Sequence, residues 1–201
     1  MPKIVDHDSY RREMLQKCFS LFSGKGYSAV TMKEIAAEIG VSTGTLYHYF
    51  PTKENMLGQL ISWAGEMNTA DYVSRTESTK SVSDRYRLMV DFWKENGEFY
   101  RNLMQLSIDM KRSAPEGESE KVFSLFSDLY SDVMSERLNI PIHFARSIFI
   151  YLMGLVMHSL LMPGFIKYTE EIERFSAAIG SFITGEITSD TNVRLNELLN
   201  R

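Results

Sequence analysis

The chain has 201 residues, 44% hydrophobic and 24% charged, with a single cysteine, Cys18. This is the balance of a globular protein long enough to bury a core; it excludes an intramolecular disulfide framework and fits a reducing, cytoplasmic setting. The net charge of −4 excludes a uniformly basic nucleic-acid binder, yet residues 1–55 hold seven Lys/Arg against six Asp/Glu, so the negative excess lies in the remainder. A contact surface needs only local positive charge. Met1 is followed by Pro2, Lys3 and mixed charges, so no apolar leader core is expected. No apolar run is expected to reach the roughly 18–20 residues of a membrane span. The longest, around 148–162, is interrupted by His158 and Ser159 and ends at Pro163.

Helix formers dominate and no segment alternates as a strand does. The first helix is expected over about 9–23, with Met14, Leu15, Cys18, Phe19 and Phe22 on one apolar face and Gly24 and Gly26 ending it. A second begins at Thr31, which forms a capping box with Glu34, and stops at Gly40. Its inner side is Ile35, Ala36 and Ile39. Ser42 then caps a very short third helix through about Tyr49, and Pro51 ends it. Thr52 caps a fourth, with Met56, Leu57, Leu60, Ile61, Ala64 and Met67 inward. The Ser/Thr-rich stretch over 73–83 reads as a loop. Long helices follow over about 83–112, 118–138, 142–161 and 170–184, with a short tail helix after Asp190.

Two short helices joined at Gly40 outline a helix-turn-helix. The third helix carries Thr43, Gly44, Thr45, Tyr47, His48 and Tyr49, more polar and small residues than packing alone requires. Such side chains donate to phosphates and base edges, and threonine methyls can meet thymine methyls. Thr31 and Thr52 stand at helix N-termini, where free N–H groups favour phosphate, and Lys53 adds a cation at the second. Ser42, the cap of the third helix, is nominated with Thr31 and Lys53 as a DNA contact. Tyr49 has two open readings, a DNA contact or a brace inside the head.

The run Gly26-Tyr27, Thr31, Ile35-Ala36, Gly40-Val41-Ser42, Gly44, Leu46-Tyr47, Tyr49-Phe50, Lys53-Glu54 and Leu57 resembles the TetR family of bacterial regulators. The resemblance covers only the first quarter of the chain. It implies an all-α fold, with a three-helix DNA-binding head (1–52) and an effector-binding and dimerisation helical domain (53–201). It also implies that Thr43, Thr45, Tyr47 and His48 face the major groove or its phosphates, and that Lys53 holds backbone. Double-stranded operator DNA is the implied partner.

The later helices are rich in aromatic residues and methionine. Plain core is one reading; the other is the wall of an adaptable apolar pocket. The residues nominated for a hydrophobic small-molecule effector are Tyr86, Met89, Trp93, Tyr100, Met104 and Phe123, with Phe126, Tyr130, Met153, Met157 and His158. Ile172, Phe175, Ile179, Phe182 and Ile183 form a stripe on the last long helix; Ile148, Leu152 and Leu155 join it from the one before. These helices are apolar around too much of their circumference for one-sided burial, so the stripe is expected at a homodimer interface. His7, His48, His143 and His158 show no metal-ligand spacing, and no phosphate loop or nucleophile elbow is present, so no metal, cofactor or enzymatic activity is expected. The alternative is a ligand-independent DNA-binding adaptor controlled by a protein partner.

Overall fold

A computed structural model describes residues 6–185, which contain nine α-helices and no β-strand. They are α1 (His7–Lys25), α2 (Met32–Ile39), α3 (Thr43–Tyr49), α4 (Lys53–Thr76), α5 (Val82–Glu95), α6 (Gly97–Ser113), α7 (Glu118–Leu138), α8 (Ile142–Leu161) and α9 (Tyr168–Thr184). The expected tail helix lies outside the described residues. Packing groups the described residues into two compact units: 6–68 with 101–129, and 69–100 with 130–185. The functional division at 52/53 is a separate question.

In the first unit, Met14, Cys18 and Phe22 of α1, Ile35 of α2, Leu46 of α3 and Met56, Leu57 and Leu60 of α4 are all buried, and α2 packs on both α1 and α3. Cys18 is fully buried 3.7 Å from the Met56 sulfur, and burial pushes its thiol up to about 12. It is therefore an apolar packing group and not a reactive thiolate. Gly40 holds φ +79°, a left-handed value that lets Val41 N–H return to the Ala36 carbonyl at 2.9 Å. That turn redirects the chain from α2 into α3.

In the second unit, α9 lies along α5 and α8. Tyr86 donates to the Ser176 carbonyl at 2.8 Å, and Tyr168 donates to the Trp93 carbonyl at 3.1 Å. The rings of Trp93 and Tyr100 stack at 3.9 Å, and those of Tyr130 and Phe149 stack at 5.2 Å.

Several expectations change. The single helix over 83–112 is two, divided at Asn96, whose side chain and backbone N–H both bond the Phe92 carbonyl. A Cβ at Gly97 would lie 2.7 Å from the Tyr168 ring, so the break coincides with a close approach that only glycine permits. The loop over 73–83 shrinks because α4 continues to Thr76, whose hydroxyl bonds back to the Tyr72 and Val73 carbonyls. Met67 points outward, 53% exposed. α8 is long and apolar enough, by length and composition, to cross a membrane; it escaped the sequence reading because His158 and Ser159 lie inside the helix rather than ending it. Its buried side packs within the second unit, as the core helix of a folded domain does.

Candidate DNA-binding surface and effector region

The start of α2 is a closed capping box. Glu34 N–H donates to the Thr31 hydroxyl at 3.3 Å, and Thr31 N–H donates to the Glu34 carboxylate at 2.7 Å. Thr31 N–H and, after it, the Thr31 hydroxyl, which donates to the same carboxylate oxygen at 2.7 Å, hold the Glu34 carboxyl below its ordinary value. Thr31 is thus committed to the helix start, with a carboxylate beside it.

At α3 the Ser42 hydroxyl accepts Thr45 N–H at 2.9 Å and bonds the Thr45 hydroxyl at 2.8 Å. Ser42 and Thr45 therefore satisfy one another and fix the helix start. Thr43, Gly44, Tyr47 and His48 face outward, with Tyr47 48% exposed. An added Cβ at Gly44 would meet only the Ser42 hydroxyl, at 3.8 Å, so nothing inside the chain requires a glycine there. Leu46 and Phe50 are fully buried beneath this face.

Tyr49 resolves toward bracing. It is 8% exposed, its hydroxyl lies 2.6 Å from His7 Nδ1, and its ring meets Tyr10 edge-on at 5.7 Å. It ties the start of α1 to the end of α3. Lys53 is half-buried; its ammonium donates to the Tyr27 carbonyl at 2.6 Å and sits 4.1 Å over the Tyr27 ring. Desolvation, the largest influence, lowers its pKa. Sequence reasoning placed Lys53 at the DNA backbone and did not join it to Tyr27, because a contact across 26 residues leaves no local pattern. The Gly-Tyr dipeptide at 26–27 was the available signal.

Of the residues nominated for an effector, Met89, Trp93, Tyr100 and Tyr130 surround one small void in the second unit, with Tyr72, Phe92 and Met134. Tyr86, Met89 and Trp93 border another with Ile148, Leu152 and Ile172. Each void is about 10 Å³, room for about one water molecule. Neither is lined by a charged residue. Met104, Phe123 and Phe126 belong to the first unit, where the Phe126 ring packs on Gly65. Met153, Met157 and His158 line neither void; His158 instead approaches Phe165 at 5.6 Å.

The expected dimer stripe is largely an internal face. Ile148, Leu152, Leu155, Ile172 and Ile183 are buried within the chain, because α5 and α8 cover the apolar side of α9. Phe175, Ile179 and Phe182 are half-buried; Phe175 stacks on Tyr151 at 3.8 Å and Phe182 meets Phe144 edge-on at 4.8 Å. The outward face of α8 carries other apolar residues: Ile142, Ile150 at 62% exposure, Tyr151 and Leu161 at 72%. Periodicity alone could not separate the two faces on a helix apolar on both.

Residues 15–60 match the family model for bacterial regulatory proteins of the tetR family. The chain is 25% identical over 126 residues to the Staphylococcus aureus negative transcriptional regulator of the biofilm operon icaADBC, IcaR. That match covers 62% of this chain and 65% of the relative, just under two thirds of its length. Over 78 residues it is 32% identical to the Mycobacterium tuberculosis transcriptional repressor KstR2, covering 39% of each chain. In fold it is similar to a Saccharomonospora viridis protein assigned as a transcriptional regulator and crystallised with choline. That likeness has a TM-score of 0.68 at 15% identity, over 85% of this chain and 97% of the other.

Proposed function

Because the chain belongs to the TetR family of bacterial transcriptional regulators, we propose that it is a cytoplasmic repressor that binds a palindromic operator as a homodimer and is released by a small apolar or aromatic effector. The observation that carries the DNA-binding part is the outward face of α3. Thr43, Gly44, Tyr47 and His48 project from a helix whose start is held by Ser42 and Thr45 and whose underside is buried. A rigid support with an exposed polar face suits base-edge and phosphate contacts. Lys53, seated by Tyr27, would offer its remaining donors to a phosphate; Thr31, Ser42, Thr45 and Tyr49 act chiefly by holding the head in shape.

Two-fold pairing suits a short helix-turn-helix, since each half-site then meets one recognition helix about one DNA turn, roughly 34–36 Å, from the other. The exposed apolar side of α8 around Ile150 and Leu161 is the surface proposed for that pairing. The effector acts only through different affinities for two conformations. The uncharged, aromatic surroundings of the second unit's voids favour an apolar effector, which must displace side chains such as Met89 to enter. The size of those voids also favours the second reading, an adaptor controlled by a protein partner.

Selection of bound fragments from random double-stranded DNA tests the proposal. Recovery of an inverted-repeat site supports a dimeric operator binder; recovery of no enriched sequence overturns it. A later screen in which apolar compounds fail to release that DNA would favour the adaptor.

A further inference from the structure

Tyr49 ends α3, and its hydroxyl is taken up by a residue 42 positions away. His7, the first residue of α1, places Nδ1 2.6 Å from that hydroxyl. Among the described residues the Tyr49 hydroxyl has no other hydrogen-bond partner, and His7 has no ion pair. Tyr49 is 8% exposed, and α1 closes over it: Tyr10 meets its ring edge-on at 5.7 Å, and the Arg11 guanidinium lies 5.8 Å from the ring centre. His48 of α3 meets the same ring edge-on at 5.3 Å. His7 itself is exposed, so solvent protons reach it.

The charges around His7 pull both ways. Asp6 caps α1, accepting from the backbone N–H of Asp8 at 3.1 Å and of Ser9 at 3.3 Å, and Asp8 pairs with Arg11 at 3.5 Å. These two carboxylates favour a charged imidazole. Arg11 and the positive end of the α1 dipole oppose it. From α3 the titratable groups are Tyr47, His48 and Tyr49. Arg12 of α1, Glu54 and Glu66 of α4, and Glu118 and Lys121 of α7 border a groove that Asp8 and Arg11 also line and His7 does not. With the near charges divided, a phosphate arriving from outside can tip the balance.

Histidine ordinarily changes charge between about pH 5 and 8. A neutral imidazole with its hydrogen on Nε2 accepts the Tyr49 hydroxyl hydrogen at Nδ1. When a solvent proton binds Nδ1, the cation can only donate, and the bond reverses. Nδ1–H then donates to the Tyr49 oxygen, and the Tyr49 hydrogen turns to an acceptor outside the chain. The brace survives, while the end of α3 gains one positive charge and one free donor. An anionic oxygen uses both. Building on the operator-binding reading of α3, we propose that His7 is a positioning residue for DNA recognition: it holds Tyr49 in either protonation state, and its cation tightens binding to a DNA phosphate in mild acid.

Operator affinity of the full chain is measured from about pH 8 to about pH 5.5, the range of an ordinary histidine, for wild type, His7→Asn and His7→Leu. Asparagine keeps an acceptor where Nδ1 stands and takes up no proton; leucine keeps the bulk and has neither. At the alkaline end His7→Asn should match wild type, and His7→Leu should bind about three- to tenfold more weakly, the worth of one hydrogen bond. Toward acid the wild type should gain about three- to tenfold more affinity than His7→Asn, as linkage to a single proton allows. His48 titrates in both proteins, so its share cancels. In the 15N-labelled full chain, adding operator should raise the pH at which the His7 imidazole is half protonated. One pH profile shared by wild type and His7→Asn, an unmoved midpoint, or His7→Asn no better than His7→Leu at the alkaline end each overturns the inference. Should His7→Leu fail to fold, the asparagine comparison and the midpoint still decide. A wild type that binds no duplex at any pH overturns the operator reading as well, whereas an operator bound with identical profiles leaves that reading standing.

Discussion

The outward face of α3 and the interior of the second unit are made from opposite materials. On α3, hydroxyls and an imidazole project into solvent, and hydrogen bonds within three residues fix the helix start, as between Ser42 and Thr45. In the second unit, Trp93, Tyr100, Tyr130 and Phe149 meet ring to ring across 7, 19 and 37 residues of sequence. The first arrangement leaves polar groups free to meet another molecule. The second has almost no free space, and a ligand can enter only by moving rings or methionines. One surface presents its polar groups as it stands, whereas the other would admit a ligand only after reorganising.

The largest effect should appear where the interior is densest. Trp93→Ala should lower stability by about 3–5 kcal/mol in urea melts. A loss below about 1 kcal/mol would mean that the rings collapse readily around the voids, and the contrast between rigid surface and packed interior would weaken.

Assembly comes next. Ile150→Glu places a charge on the exposed side of α8 and should convert a sedimenting dimer to monomer, with helix content preserved. Persistence of the dimer would remove this face from the interface. Tyr47→Ala should weaken operator binding about tenfold to a hundredfold, the range of one or two good base or phosphate contacts, while the melting profile stays unchanged. Equal affinity would return Tyr47 to the solvated surface.

Lys53→Ala should weaken specific and non-specific DNA binding alike and flatten the salt dependence by about one unit of slope. An unchanged slope would show that the ammonium serves only the Tyr27 carbonyl and ring. The smallest effect concerns the cap of α2. Thr31→Ala should cost about 1 kcal/mol at neutral pH. Glu34 has a lowered pKa in the folded head, so its share of stability is present above the unfolded value. It is lost as pH falls through the folded one. A Glu34→Gln variant should therefore fall below wild type at neutral pH and converge with it in acid; a constant difference across that range would deny the carboxylate any part in the cap.

Much of the head was legible because its determinants are local. Thr31 with Glu34, Gly40, and Ser42 with Thr45 act over three or four residues, so their order along the chain carries their geometry. The bounds of α7 and α8 were equally legible, since polar breaks flank each long apolar run. The division at Asn96 and Gly97 was hidden, because the residue that requires it, Tyr168, is remote in sequence. The brace between the Tyr49 hydroxyl and His7, 2.6 Å apart across 42 residues, leaves no local pattern either.

By itself, then, the sequence determined the helical class, the helix-turn-helix and the outward chemistry of α3, all of which rest on short-range periodicity and caps. Only tertiary structure decided which side of α8 and α9 is internal, that Lys53 is seated on Tyr27, and that His7 meets Tyr49. The physical reason is common to these three: each is set by a side chain that arrives from a distant part of the chain, and an apolar or cationic residue looks the same in sequence whichever neighbour it meets.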